Sequence, residues 1–377
     1  MKVILSSLLA ILLSNCSFAQ ITLIPDTGFE QALIQYGYDF GLPDGQVLTN
    51  NIDTVTYLYV GSRQITDLTG IQDFTALEYL DCNFNQLSSI NVTQNTVLTC
   101  LITADNPLGT LDITQNSALI SLNCWNNQLT NLNITQNTFL KYLSCQWNQL
   151  STVDLSQNVN LIELDCNLNQ MIILDVTLNT ALTTLNCRGN LLTSLNLTNN
   201  TALEKLYCYS NQLTQLNLSQ NSVLNDITCH NNQLTCLNIK NGNNSNFIYF
   251  FAHNNPNLTC IEVDNVGWST SAPNWYKDAT ASYSTSCPNP CLVGIDENNL
   301  SNLSLYPNPT TGKITIDLVE VKQGLKATLT NSLGQVIFNQ NYGSTNNIDL
   351  DLKYPKGMYF LTIKTQGEII TKKIVIE

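Results

Sequence analysis

Leu119-Ile120-Ser121-Leu122-Asn123-Cys124-Trp125-Asn126-Asn127-Gln128-Leu129-Thr130-Asn131-Leu132-Asn133-Ile134-Thr135-Gln136-Asn137 decides the fold, because the chain says it again and again. An offset of 21 residues carries Leu119 back to Leu98 and Leu77, and forward through Leu140, Leu161, Leu182 and Leu203 to Leu224, without a gap. With that leucine as position zero, position three is Leu in every copy but the last, where Ile227 stands. Position eight is always Asn, from Asn85 to Asn232, and position ten is apolar from Leu87 to Leu234. A second asparagine ladder, Asn95, Asn116, Asn137, Asn158, Asn179, Asn200 and Asn221, recurs at position eighteen. Self-similarity at so short a period means stacked coils, each too small to bury its own apolar edge.

Positions two to six of each copy predict a short strand whose alternate side chains point inward, stacked in parallel on the next at ~4.8 Å. The position-eight amide is expected to satisfy backbone groups freed where the strand ends. Position eighteen is expected to be a turn residue in the left-handed region. The unit L-x-x-L-x-C-x-x-N-x-L-x-x-L/I/V-x-L/I/V-x-x-N resembles the leucine-rich repeat, with cysteine in place of its third leucine. That resemblance implies a right-handed solenoid with a parallel β-sheet on its concave face and loop or 3₁₀ segments on the convex side. Divergent copies beginning at Val55 and Phe247 bring the count to about ten coils over residues 55–266. Residues 20–54 are expected to cap the first coil. There Pro25-Asp26-Thr27, followed by Phe29, Ala32 and Leu33, reads as a capped amphipathic helix, as in internalin-like members of the family. Residues 267–299, with Trp268, Trp275 and Tyr283, are expected to form the other cap and a linker.

Of the 377 residues, 43% are hydrophobic and only 11% charged, so polarity rests on amides and hydroxyls and the chain has the composition of a folded protein. A formal charge of -13 offers no electrostatic footprint for nucleic acid. At the N-terminus, Lys2 precedes an apolar run from Val3 to Leu13, and Ser17-Phe18-Ala19 offers a small-x-small cleavage site. Residues 1–19 therefore read as a secretory signal peptide, too short to span a bilayer. Cys16 raises a lipoprotein alternative, against which Asn15 stands. Residues 300–377 hold eight Lys and six acidic residues, whereas residues 21–299 hold six basic and 22 acidic ones. This break marks a domain boundary near residue 295. Beyond it, alternation such as Ile314, Ile316 and Leu318 predicts a small antiparallel β-sandwich. Leu305-Tyr306-Pro307-Asn308-Pro309, Gly312, Leu333-Gly334, Lys356-Gly357-Met358-Tyr359 and Lys372-Lys373 together resemble the type A C-terminal sorting domain of type IX secretion. The resemblance implies engagement of that machinery through residues 300–377 and export from a Bacteroidetes-type bacterium, with release or surface anchoring.

Cys82, Cys124, Cys145, Cys166, Cys187, Cys208 and Cys229 fill an inward position, with Thr103 in the gap. Parallel Cβ vectors on adjacent strands disfavour disulfides between them, and one thiolate per coil cannot build a tetrahedral metal site. Of Cys236, Cys260, Cys287 and Cys291, outside that ladder, one pair is expected to be joined, Cys260–Cys287 being favoured.

Function should sit on the concave face. Eleven of the fifteen aromatics between residues 55 and 266 fall at outward strand positions: Tyr57, Tyr59, Tyr79, Phe84, Trp125, Tyr142, Trp147, Tyr207, Tyr209, Tyr249 and Phe251. Phe74, Phe139, Phe247 and Phe250 read as core. The outward aromatics form an N-terminal and a C-terminal group, divided by Glu163, Asp165, Asn167, Thr184, Asn186 and Arg188. Aromatic anchors among amides suit a protein contact or the stacking face of a sugar, although aromatics also favour strands for their own sake. His230 and His253 share an offset in adjacent coils, with Asp226 nearby, but no third firm metal ligand accompanies them. No nucleophile elbow, zinc-helix motif or phosphate loop is present. The expectation is a non-enzymatic, exported binding protein, without cofactor or metal, that contacts an extracellular protein in adhesion. A polysaccharide-binding module or a spacer without ligand is the alternative.

Overall fold

The computed structural model describes residues 20–288, 291, 303–331, 335–365 and 369–376. The predicted signal peptide and the Leu333-Gly334 element of the tail motif lie outside the described residues. The chain divides into two compact units between Cys291 and Leu292.

The first unit is built on an eleven-stranded parallel sheet running from Tyr57–Tyr59 to Trp275–Tyr276. Every strand before the last, which has two residues, is only three residues long, because one inward apolar residue flanked by two neighbours is all a coil needs before it turns. The register keeps the 21-residue period: Leu122 faces Leu143, Leu143 faces Leu164, and Leu164 faces Leu185. Positions zero, three, five, ten, thirteen and fifteen point inward and form one continuous core in which Leu119, Leu140, Leu161, Leu182 and Leu203 are fully buried. A fully buried leucine contributes about 1.5–3 kcal/mol, so the ladder rather than any local propensity holds the stack. The eleventh strand, Trp275–Tyr276, lies within the residues expected to cap the coils.

The position-eight asparagines do more than close a turn. Asn148 Nδ2 donates to the carbonyls of Cys124 and Cys145, both at 3.0 Å. Its Oδ1 accepts from the N–H groups of Asn127 at 3.0 Å and Leu129 at 2.9 Å, so one side chain satisfies four buried backbone groups in two coils. The position-eighteen asparagines behave differently from the expectation. None of them is left-handed; each is buried and donates Nδ2 to two carbonyls of the preceding coil, as Asn137 does to Ile113 at 3.1 Å and Asn116 at 2.8 Å. The left-handed turn falls at position seven: Phe84, Asp105, Asn126, Trp147, Leu168, Gly189, Ser210, Asn231 and Asn254 all have φ between 50 and 63°. The chain must reverse its peptide direction at once to aim the next asparagine inward, and position seven is the residue that does it.

The cysteine ladder is buried and its thiols are free. Burial pushes Cys124, Cys187 and Cys229 up to about 12, so the sulfurs are neutral packing groups rather than nucleophiles. Thr103 in the same row is fully buried, with no partner in the protein for its hydroxyl. An unsatisfied buried hydroxyl costs free energy that a thiol does not. Thr103→Cys is therefore expected to raise stability by about 1 kcal/mol in chemical denaturation, with an unchanged slope.

Both ends are closed. Helix α1 (Thr27–Tyr36) is N-capped by Asp26, whose Oδ1 accepts from Phe29 N at 3.0 Å, and it ends at Gly37 with φ 77°. It buries Phe29, Ala32 and Leu33, with the Phe29 ring 6.1 Å from Phe74. At the other end, helix α2 (Val266–Ser271) is N-capped by Asn265, and Trp275 packs against Phe250, Trp268 and Tyr283. A second parallel sheet, absent from the expectation for the convex side, joins Gln215–Asn217, Cys236–Asn238, Cys260–Glu262 and Ser282–Ser284. Disulfides Cys236–Cys291 and Cys260–Cys287 start from two of these strands. They link residues 55 and 27 apart in sequence, loops for which closure entropy predicts about 3–4 kcal/mol of stabilisation each.

The second unit is an antiparallel sheet of five strands, in which Lys313–Asn331 pairs with Ser304–Tyr306, Val336–Asp351 and Gly357–Lys364, and Ile369–Ile376 lies beyond the last. Ile314, Ile316, Leu329, Ile348, Leu361 and Ile374 form its core. Asn308, in the Tyr-Pro-Asn-Pro motif, donates to Lys373 O at 2.7 Å and accepts from Val375 N at 2.9 Å, which ties the motif to the last strand.

Candidate functional site

The outward side chains of the parallel sheet fall into recognisable groups. Tyr57 and Tyr79 stack at 4.2 Å, and Phe84 meets Trp125 edge-on at 5.7 Å across two coils. Tyr249 and Phe251 lie 5.9 Å apart, and Phe251 meets Tyr276 at 5.2 Å. Tyr57, Tyr59, Phe84, Tyr142, Trp147 and Tyr249 are exposed, whereas Tyr79, Trp125, Tyr207, Tyr209 and Phe251 are half-buried against neighbours. One aromatic differs from its sequence assignment: Phe139, expected in the core, is 62% exposed because it precedes the inward Leu140 rather than sharing its face. Tyr276 on the eleventh strand, not singled out in the sequence, is exposed as well.

Phe84 and Trp147 stand apart. Both are at position seven, with φ of 50° and 57°, and are 48% and 58% exposed. Six of the other seven residues there are Asp, Asn, Gly or Ser, types whose backbone visits this region readily. A bulky aromatic gains limited burial from this place and carries a backbone cost.

Of the six polar residues that divide the two aromatic groups in sequence, four form a floor in space, and Glu163 and Thr184 lie outside it. Asp165, Asn167, Asn186 and Arg188, with Gln146 and Thr228, line an open depression of about 630 Å³ walled by Trp147, Tyr207, Tyr209, His230 and Phe251. Stacking of coils brings these residues from six successive turns together. Asp165 accepts from Asn167 N at 3.1 Å and from Asn186 Nδ2 at 3.1 Å. Arg188 lies over the Tyr209 ring at 5.4 Å and donates through Nη1 to the Tyr209 hydroxyl. Tyr207 donates to Asp226 at 2.8 Å; burial and that bond raise the phenol to about 12. Gln146 and Thr228 were not singled out in the sequence. The signal that finds them is their outward repeat position beside Trp147 and Tyr207.

His230 is sandwiched between Tyr209, with ring centroids 4.4 Å apart, and His253 at 4.7 Å. Burial, and then the charge of His253, lowers its pKa below the ordinary value. Among the described residues no group of three or more His, Cys, Asp or Glu is placed to hold a metal ion. As pH falls below about 6.5 the unfolded histidine takes up its proton before the folded one does, so the folded state loses stability from there down to the lowered pKa. The urea midpoint is expected to drop between pH 7 and pH 5, and to drop less in His230→Phe. An equal drop in both proteins would place the acid sensitivity elsewhere.

Among the described residues, no helix is long and apolar enough to cross a membrane. In sequence the chain matches no curated protein. In structure it is similar to the functional domain of InlJ from Listeria monocytogenes, which includes a cysteine ladder, with a TM-score of 0.56, 23% identity, and 95% of this chain and 99% of that one covered. It is also similar to the internalin InlF of Listeria monocytogenes strain 4b F2365, with a TM-score of 0.49, 21% identity, and 69% and 96% covered. Residues 304–377 match the family model described as the secretion system C-terminal sorting domain. The chain thus joins a solenoid of the leucine-rich-repeat fold to a secretion sorting domain that marks it for export.

Proposed function

We propose that the solenoid is an extracellular recognition module, exported through its sorting domain, which binds a protein on an opposing surface with the exposed aromatics of its concave face. The sorting domain is the part that engages the type IX machinery, and residues 1–19 are its route to the periplasm. One observation carries the reading: Phe84 and Trp147 occupy left-handed backbone positions while about half exposed, an arrangement that local conformation disfavours and limited burial does little to offset. Exposed aromatics retained against a backbone cost are what a binding hot spot requires. The surface is open and its titratable groups are engaged with one another, as Tyr207 is with Asp226, which supports binding rather than turnover.

Adhesion of the full chain to intact cells, before and after protease treatment of those cells, tests the proposal. Binding is expected to vanish after protease treatment and to fall at least about 100-fold in the Phe84→Asn/Trp147→Asn double variant. Protease-resistant adhesion, or undiminished binding by the double variant, would overturn it.

A further inference from the structure

The walled depression differs in kind from the exposed aromatics around it. Five side chains that line it carry a buried polar atom with no hydrogen-bond partner in the protein: Gln146 Oε1, Asn167 Oδ1, Arg188 Nε, Thr228 Oγ1 and His230 Nδ1. Elsewhere among the described residues such atoms are mainly the Oδ1 atoms of the regular asparagine ladder, which follow from the repeat itself. Buried polar groups are normally paired; these five lie just beneath the lining and reach a ligand in the depression by a turn of their side chains, which a partner that pairs them would favour. We propose that this depression is a saccharide subsite, adjoining the protein-contact surface and sharing Trp147 with it, which takes a neutral pyranose unit of a glycan.

The chemistry of the five atoms selects that class. Gln146 and Asn167 offer acceptors, Arg188 a donor, and Thr228 and His230 groups of either sense. An anion would call for donors alone and would meet Asp165, and a cation would meet Arg188. A sugar hydroxyl both donates and accepts, and so matches a mixed set. The aromatic walls answer the other half of a pyranose, its apolar C–H face, which packs on rings such as Trp147. The volume of about 630 Å³ falls within the range of small-ligand sites and exceeds a single ring, so neighbouring units of the glycan would also be held. The wall is ordered in advance, because Arg188 is fixed by its stacking on Tyr209 and its hydrogen bond to that hydroxyl.

Neutral trisaccharides of glucose, mannose, galactose, xylose and N-acetylglucosamine, titrated into the full chain and followed by tryptophan fluorescence and saturation-transfer NMR, test the proposal. At least one is expected to bind, with little dependence on salt. Thr228→Val removes the hydroxyl at constant volume, and His230→Phe keeps the ring stack while removing the nitrogens. Each is expected to weaken that sugar by at least about tenfold, the loss of one hydrogen bond, while leaving adhesion to protein-bearing cells unchanged. Thermal midpoints at neutral pH serve as the folding check, and the second variant keeps the test decisive if the first fails it. No signal from any sugar of the panel, or binding by both folded variants within about twofold of the parent, would overturn the saccharide subsite without touching the protein-contact reading.

Discussion

Asn148→Leu is expected to lower the stability of the solenoid by on the order of 5 kcal/mol, measured as a shift of the urea midpoint. The side chains are similar in volume, so packing changes little. The leucine, however, strands the N–H groups of Asn127 and Leu129 inside the coil, and it takes one of two donors from the carbonyls of Cys124 and Cys145, which keep the Nδ2 groups of Asn127 and Asn169. Each orphaned buried group costs about 1–3 kcal/mol, and two of them, with two carbonyls left short of a donor, are a large share of the ~5–15 kcal/mol that holds an ordinary domain together. Because coils contact only their neighbours, the damage should be local at first, with hydrogen-exchange protection lost around residues 124–150 before the caps. Asn137→Leu supplies the comparison, since Asn137 uses only its Nδ2, on two carbonyls, and its Oδ1 has no partner in the protein. Its cost should be well under half as large, because the carbonyls of Ile113 and Asn116 keep the N–H groups of Asn116 and Leu119. Equal and small losses in both variants would mean that the amide ladders are consequences of the stack rather than causes of it.

The second large effect separates stability from binding in one substitution. Trp147 sits at φ 57°, while Asn126, Asn231 and Asn254 hold the equivalent position in other coils at 53, 53 and 56°. Asparagine enters the left-handed region at far lower cost than a bulky side chain, and a tryptophan that is 58% exposed has limited burial to lose. Trp147→Asn is therefore expected to stabilise the fold by on the order of 1 kcal/mol, while weakening adhesion at least about tenfold. A residue kept for the fold would behave the opposite way. Phe84→Asn should follow the same pattern.

The period of 21 made most of the solenoid legible in the sequence. The inward leucines, the parallel stacking, the buried thiols and the position-eight asparagines all follow from one unit that cannot bury itself alone. The turn residue was misread because asparagine tolerates the left-handed region and position eighteen is uniformly asparagine. Position seven, where Asp105, Asn126, Gly189, Ser210 and Asn231 already carry the compositional sign, was hidden by the aromatics Phe84 and Trp147 among them. The second parallel sheet could not have been read from local sequence. Leu132 and Leu216 sit in near-identical contexts, yet only the latter is in a strand, next to the disulfide-linked end of the coil. The candidate site shows the same division. Its aromatics were visible one by one, but Asp165, Asn167, Asn186 and Arg188 read as a divider along the chain because a linear sequence separates by 21 residues what the sheet places side by side.

The central claim is that exposed aromatics are held on this face for recognition at the expense of the backbone. Paired measurement on Trp147→Asn, its urea midpoint and its adhesion to untreated cells beside the parent chain, tests that claim most directly. The account predicts a higher midpoint together with lost adhesion. A lower midpoint with adhesion intact would show that Trp147 serves the fold, and would contradict it.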